Sequence, residues 1–170
     1  MSFISASFSS DPYRKTWRPE EKGGLFKQLC NASNFVRDLG FRLRFGELSR
    51  APLLLLRLQV VAEIAECDWM ARSPDPWDAD LSGLLQQRHA SLQALRDAID
   101  IRSLLFETLP QVESANFRVF RQSVECSPEM IIAGSVHRQD HSSRDVHSIV
   151  MRAKVLGFRF RIEGDVLRKI

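Results

Sequence analysis

The chain should fold as a single two-layer α+β domain, with a mostly antiparallel sheet and helices on one face. Three observations predict this. Arginine alternates with phenylalanine in Phe41-Arg42-Leu43-Arg44-Phe45, Phe117-Arg118-Val119-Phe120-Arg121 and Phe158-Arg159-Phe160-Arg161; a period of two is what a half-buried strand produces. Between the first two segments, Leu85, Leu92, Ile99 and Phe106 fall seven apart, which marks one face of a long helix. Every link between successive strand-like segments is short, so the pairing should be mostly antiparallel. The expected element order is αβββαββαββ.

Residues 1–18 are small and polar, without sustained periodicity, and read as a weakly ordered N-terminal segment. The domain proper spans 19–170. Pro19, Glu20 and Glu21 suit a helix entry. Leu25, Leu29, Ala32, Val36 and Leu39 then form one helical face, and Gly40 stands where a C-terminal cap belongs. Phe41 to Gly46 alternates as a strand. Residues 53–72 read as two antiparallel strands joined near Ala62-Glu63, the second with Ala65, Cys67, Trp69 and Ala71 on one face.

Pro74 and Pro76 exclude regular structure from the loop at 73–80. The long helix occupies about residues 81–108, and Pro110 ends it. Asn116 to Val124 and Met130 to Arg138 form a hairpin turning at Cys126-Ser127-Pro128. Ser142 and Asp145 make a capping-box pattern ahead of Val146, Ile149, Val150, Ala153 and Leu156, and Gly157 closes that helix. Phe158 to Ile162 and Val166 to Ile170 form a last hairpin across Glu163-Gly164-Asp165. The core should include Leu54, Leu56, Leu58, Leu92, Ile99, Phe106, Phe158 and Phe160.

A chain of 170 residues is long enough to bury a core without disulfides or metals. Cys30, Cys67 and Cys126 are odd in number and widely spaced, so they form neither a disulfide framework nor a CxxC knuckle. They fit reduced thiols and a cytoplasmic location. The first dozen residues lack the pattern of a secretory signal. The most apolar stretch, Leu53 to Ala65, is interrupted by Arg57 and Glu63, and no membrane partner is expected.

Lys and Arg outnumber Asp and Glu nine to five over residues 11–50 and ten to seven over 111–170, but are outnumbered nine to five over 51–110. Basic flanks around an acidic middle can bring one copy's basic face to another's acidic face, or to a polyanion.

Asp78-Ala79-Asp80-Leu81-Ser82-Gly83 matches the first half of a calcium-binding EF-hand loop. Position 12 is His89, where such a loop needs its bidentate glutamate. Asp78, Asp80 and Ser82 are the candidates for a cation, but capping of the long helix by Asp80 or Ser82 is the favoured reading. His137, His141 and His147 have no spacing that enforces a tetrahedral site and read as surface histidines. His89 reads as a boundary histidine with one satisfied nitrogen. Glu63, Glu66 and Asp68 are the best carboxylate cluster, and pairing with Arg57 and Arg72 accounts for it. GxGxxG, GxxxxGK[ST] and GxSxG are all absent. No cofactor, no structural metal and no enzymatic site is expected.

The arginine-lined strand faces, with Arg42, Arg44, Arg118, Arg159 and Arg161, are the candidate binding residues. Tyr13 and Trp17, beside Arg14, Lys15 and Arg18, join them as aromatics suited to stacking.

Over residues 20–156 the order αβββαββα resembles the topology of type III secretion chaperones. That resemblance implies a small, cytosolic, dimeric protein that binds other polypeptides. The expected function is a non-enzymatic protein-interaction domain that forms a homodimer, with the final hairpin as the pairing edge. A nucleic-acid-binding domain using the arginine faces ranks second, and a small metal-dependent enzyme near Glu66, Asp68 and Asp78 third.

Overall fold

A computed structural model describes residues 19–123, 127–139 and 146–170. The fold is α+β: helices pack on a mixed, mostly antiparallel sheet. The described elements are α1 (Pro19–Arg42), β1 (Leu54–Val61), β2 (Ile64–Met70), α2 (Gly83–Thr108), β3 (Ser114–Arg121), β4 (Glu129–His137), α3 (Ile149–Val155), β5 (Phe158–Arg159), β6 (Arg161–Glu163) and β7 (Val166–Arg168). Five strands form one sheet in the order β1-β2-β3-β4-β5, and β6-β7 form a separate ribbon. β2 and β3 run parallel because α2 crosses over between them; the other neighbours in the sheet are antiparallel.

Alternation works as expected in the central strands. Ala65, Cys67 and Trp69 of β2, Ala115, Phe117 and Val119 of β3, Ile132 and Val136 of β4, and Phe158 of β5 are all buried. Trp69 meets Phe117 edge-on at 5.5 Å, and Phe117 lies 5.7 Å from Phe158. These aromatics tie non-adjacent strands through one layer. Burial pushes the Cys67 thiol far above its usual range, which keeps it unreactive.

Helix α2 is the centre of the second layer, with α1, α3 and β7 packed against it. Ser82 caps it, its hydroxyl accepting from the Leu85 backbone N–H at 3.4 Å. Ile99 and Phe106 are buried as expected, while Leu92 is half-buried.

Several expectations are corrected. Phe41–Gly46 is not a strand. Helix α1 passes through Gly40 to Arg42 and then turns, leaving Phe41 and Phe45 exposed. The backbone carbonyls of Leu43 and Arg44 accept from the Arg72 guanidinium and not from a neighbouring strand. On α1 itself, Phe35 and Leu39 are buried, whereas Leu29 and Val36 face outward.

Leu54 and Leu56 are exposed, because Leu54 lies on the face of the sheet that no described helix covers and Leu56 is bulged out of the β1–β2 register. Leu53, Leu55, Leu58 and Val60 pack inward instead. Helix α3 starts later than the Ser142–Asp145 pattern implied: Ser148 is its cap, and Ser142 and Asp145 lie outside the described residues. Phe158 to Ile162 is not one strand. Phe158 and Arg159 pair with β4, and Arg161 to Glu163 pair with β7. Gly157 sets the break with φ +92°, and a Cβ there would stand 2.7 Å from the Ser135 carbonyl oxygen.

The β1–β2 turn is Ala62-Glu63, as expected, and Ala62 carries φ 54°. An L-residue with a Cβ is strained there, whereas glycine adopts that region readily. Ala62→Gly should raise stability by about 0.5–1 kcal/mol in urea unfolding, net of glycine's greater unfolded-state entropy.

Candidate interaction surface

One face of the five-stranded sheet carries no helix among the described residues. The register places Arg57 of β1, Asp68 of β2, Arg118 of β3, Ala133 of β4 and Arg159 of β5 in one row across it. Arg118 grips Asp68 with two parallel bonds, Nε to Oδ1 at 2.8 Å and Nη2 to Oδ2 at 2.7 Å. That bidentate pair raises the Arg118 pKa, through the hydrogen bond first and the charge of Asp68 second. Arg57 pairs with Glu66 at 2.7 Å. Of the expected cluster of Glu63, Glu66 and Asp68, Glu66 pairs with Arg57 as expected, but Asp68 pairs with Arg118, and Arg72 turns inward to Asp97 instead. Ala133 leaves a gap between Arg118 and Arg159, and among the described residues Arg159 has no carboxylate within ion-pair distance.

The face turns apolar on either side of this polar row. Leu54 and the bulged Leu56 stand at one end of the β1–β2 hairpin and Val61 and Ile64 at the other, and each of the four is between 47% and 60% exposed. Met70, Phe120 and Met130 lie half-buried on the same side. The sequence pattern concealed this patch, since an apolar run reads as core whichever face it takes. The usable signal was Val61 and Ile64, both apolar, flanking a tight turn.

The other candidate residues go elsewhere. Arg42, at the end of α1, pairs with Glu107 at 2.8 Å. Arg44 sits over the Phe45 ring at 5.1 Å. Arg161 lies on the separate ribbon, paired with Glu163. Only Arg118 and Arg159 of the five share a surface; Tyr13 and Trp17 lie outside the described residues.

Asp78 and Asp80 belong to a 3-10 turn at Pro76–Asp80, and Asp78 faces His89 Nδ1 at 3.3 Å. Asp78 borders an open hollow of about 470 Å³ with Asp75 and Trp77 on its walls. Bonds from the backbone N–H groups of Arg50 and Trp77 hold the Asp75 carboxyl below the usual range. His137 ends β4, His147 precedes α3, and His141 lies outside the described residues. Among the described residues, no group of three or more His, Cys, Asp or Glu side chains is placed to hold a metal ion. No described helix is long and apolar enough to cross a membrane. No protein-family model matches the chain, and no curated protein or solved structure is similar to it.

Proposed function

We propose that the chain is a non-enzymatic protein-interaction domain that forms a homodimer through the open face of its sheet along β1 and β2. The observation that carries this is an open face with Leu54 and Leu56 exposed at one end of the β1–β2 hairpin, Val61 and Ile64 exposed at the other, and paired charges between them. Exposed apolar side chains on both flanks of a polar strip suit a contact surface that mixes apolar and charged groups. The face carries both signs, so a second copy rotated by a two-fold axis can set Arg159 against Glu66 or Asp68 while the apolar edges meet. This supports a second copy over a polyanion, because most of the candidate arginines already neutralise a carboxylate.

The final hairpin suits this contact less well, since its Val166 and Leu167 are buried against α2. A face contact also suits it better than an edge contact. The irregularity between Leu55 and Arg57 in the β1–β2 pairing kinks the edge strand β1, and such bulges blunt edge-to-edge pairing.

Light scattering and sedimentation should give a dimer mass at about 10 µM. The double substitution Leu54→Lys/Val61→Lys alters exposed side chains only. It should weaken association at least about tenfold with the melting temperature nearly unchanged. Salt should weaken wild-type association only in part, since the apolar contacts are not screened. A monomer at about 100 µM in low and moderate salt overturns the dimer. A tight, salt-sensitive complex with single-stranded oligonucleotides would instead establish the nucleic-acid reading.

A further inference from the structure

A cavity of about 440 Å³ opens where the parallel strands β2 and β3 end, between them, α2 and the β6–β7 ribbon. Its volume is in the range of small-molecule sites. Its apolar lining includes Ala71, Pro74 and Ala90. Its charged lining includes Arg121, Glu129 and Arg168.

The charged groups are held in different ways. Arg121 is fixed: one terminal nitrogen donates to the Leu167 carbonyl at 3.1 Å and the other to Glu129 at 2.8 Å. The Arg121 bond also holds the Glu129 carboxyl below its usual range, so it is ionised at neutral pH. Arg168 is loosely engaged, 3.5 Å from a Glu163 oxygen, while the other oxygen of Glu163 is taken by Arg161. Arg72 also borders the cavity, but its guanidinium is committed to Asp97 and to backbone carbonyls. Glu129 balances Arg121, while Arg168 and Arg161 share the single carboxylate of Glu163, which leaves one net positive charge beside the cavity.

We propose that this cavity binds a small organic monocarboxylate with an apolar body. The carboxylate would bridge Arg168 and the outward N–H groups of Arg121, and the body would lie against Ala71, Pro74 and Ala90. A guanidinium offers five donors in a plane, and Arg121 spends only part of its set on Leu167 and Glu129. A dianion such as phosphate would leave an unbalanced negative charge beside Glu129 and would make no use of the apolar wall. The ribbon gains a purpose on this reading. Its Leu167 carbonyl orients Arg121, and its next residue supplies the second guanidinium.

Hexanoate, phenylacetate and indole-3-acetate are suitable probes, with hexanol, 2-phenylethanol, tryptophol and inorganic phosphate as comparisons. Amide NMR shifts of the full chain are the readout. At least one acid should shift the Ala90 and Arg168 amides saturably at millimolar concentration or below, at least about tenfold more tightly than its alcohol or phosphate. Arg168→Gln, an exposed change, should weaken that acid about tenfold. Ala90→Leu, which fills the apolar wall, should weaken it without removing a charge. The proposal is overturned if no acid saturates by about 10 mM. It is equally overturned if the alcohol or phosphate binds as well, or if neither variant changes the affinity.

Discussion

Arg72→Ala should destabilise the domain by about 3–5 kcal/mol, because it leaves a buried carboxylate without its counter-charge. Both partners of the Arg72–Asp97 pair are almost wholly inaccessible, 1% and 2% exposed, and Nε lies 2.9 Å from Asp97 Oδ2. Gln93 supplies the second bond to Asp97 at 2.9 Å and accepts from the Leu48 backbone N–H. The remaining guanidinium nitrogens hold the carbonyls of Leu43, Arg44 and Ala51. One side chain therefore pins the loop between α1 and β1 onto α2, and its removal orphans a charge and three carbonyls together.

Burial already pushes the Asp97 carboxyl above its usual range, with Arg72 and Gln93 opposing. A carboxyl whose folded pKa is raised contributes stability below its unfolded pKa and loses it as pH rises through the folded value. Arg72→Ala removes the main opposing charge and raises that value further. The loss should therefore be smaller near pH 5 than near pH 7.5, where Asp97 must ionise without a partner or stay protonated at a cost. Urea unfolding at the two pH values checks this; an equal loss at both would mean that Asp97 gains water in the variant.

The same pair shows what the sequence could and could not convey. Strands β2, β3 and β4 were legible because one buried face imposes alternation on consecutive residues. Phe117 and Arg118 point opposite ways, and so do Phe158 and Arg159. The same pattern misled at Phe41–Phe45, where five residues are too few to separate a strand from a helix end. What decided that segment was Arg72, 28 and 29 positions away in the chain, taking the carbonyls that a ladder would have used. The apolar patch was misjudged for a related reason. Leu54 and Leu56 read as core, but the face of β1 that carries Leu54 is the one no described helix covers. Which face of a sheet is covered is a property of the tertiary packing, which local periodicity does not encode. Of the arginines singled out as a surface, two share the open sheet face, because one Phe/Arg echo is helical and another splits between two sheets.

Arg138→Ala should cost about 2–3 kcal/mol, as a second case in which an arginine closes the backbone of a distant segment. Helix α2 ends at Thr108 among carbonyls that have no helical partner. Arg138, just past β4, donates from Nη1 to Phe106 O at 2.8 Å, from Nη2 to Leu109 O at 2.8 Å, and from Nε and Nη2 to Val112 O at 2.9 and 2.7 Å. Its guanidinium also stands 5.2 Å from the Phe106 ring centroid. Cation and helix C-terminus attract through the macrodipole, and each bond to a charged donor exceeds a neutral one. Two substitutions separate these effects. Arg138→Lys keeps the charge near the dipole but has no planar fork, so it should recover less than half of the loss. Arg138→Met keeps the packing against Phe106 and should recover still less if hydrogen bonding dominates. Thermal and urea unfolding of the three variants order them as Lys, Met, Ala from most to least stable. If Met equals or exceeds Lys, apolar contact with Phe106 holds the end of α2, and the carbonyls are satisfied by water once the guanidinium has gone.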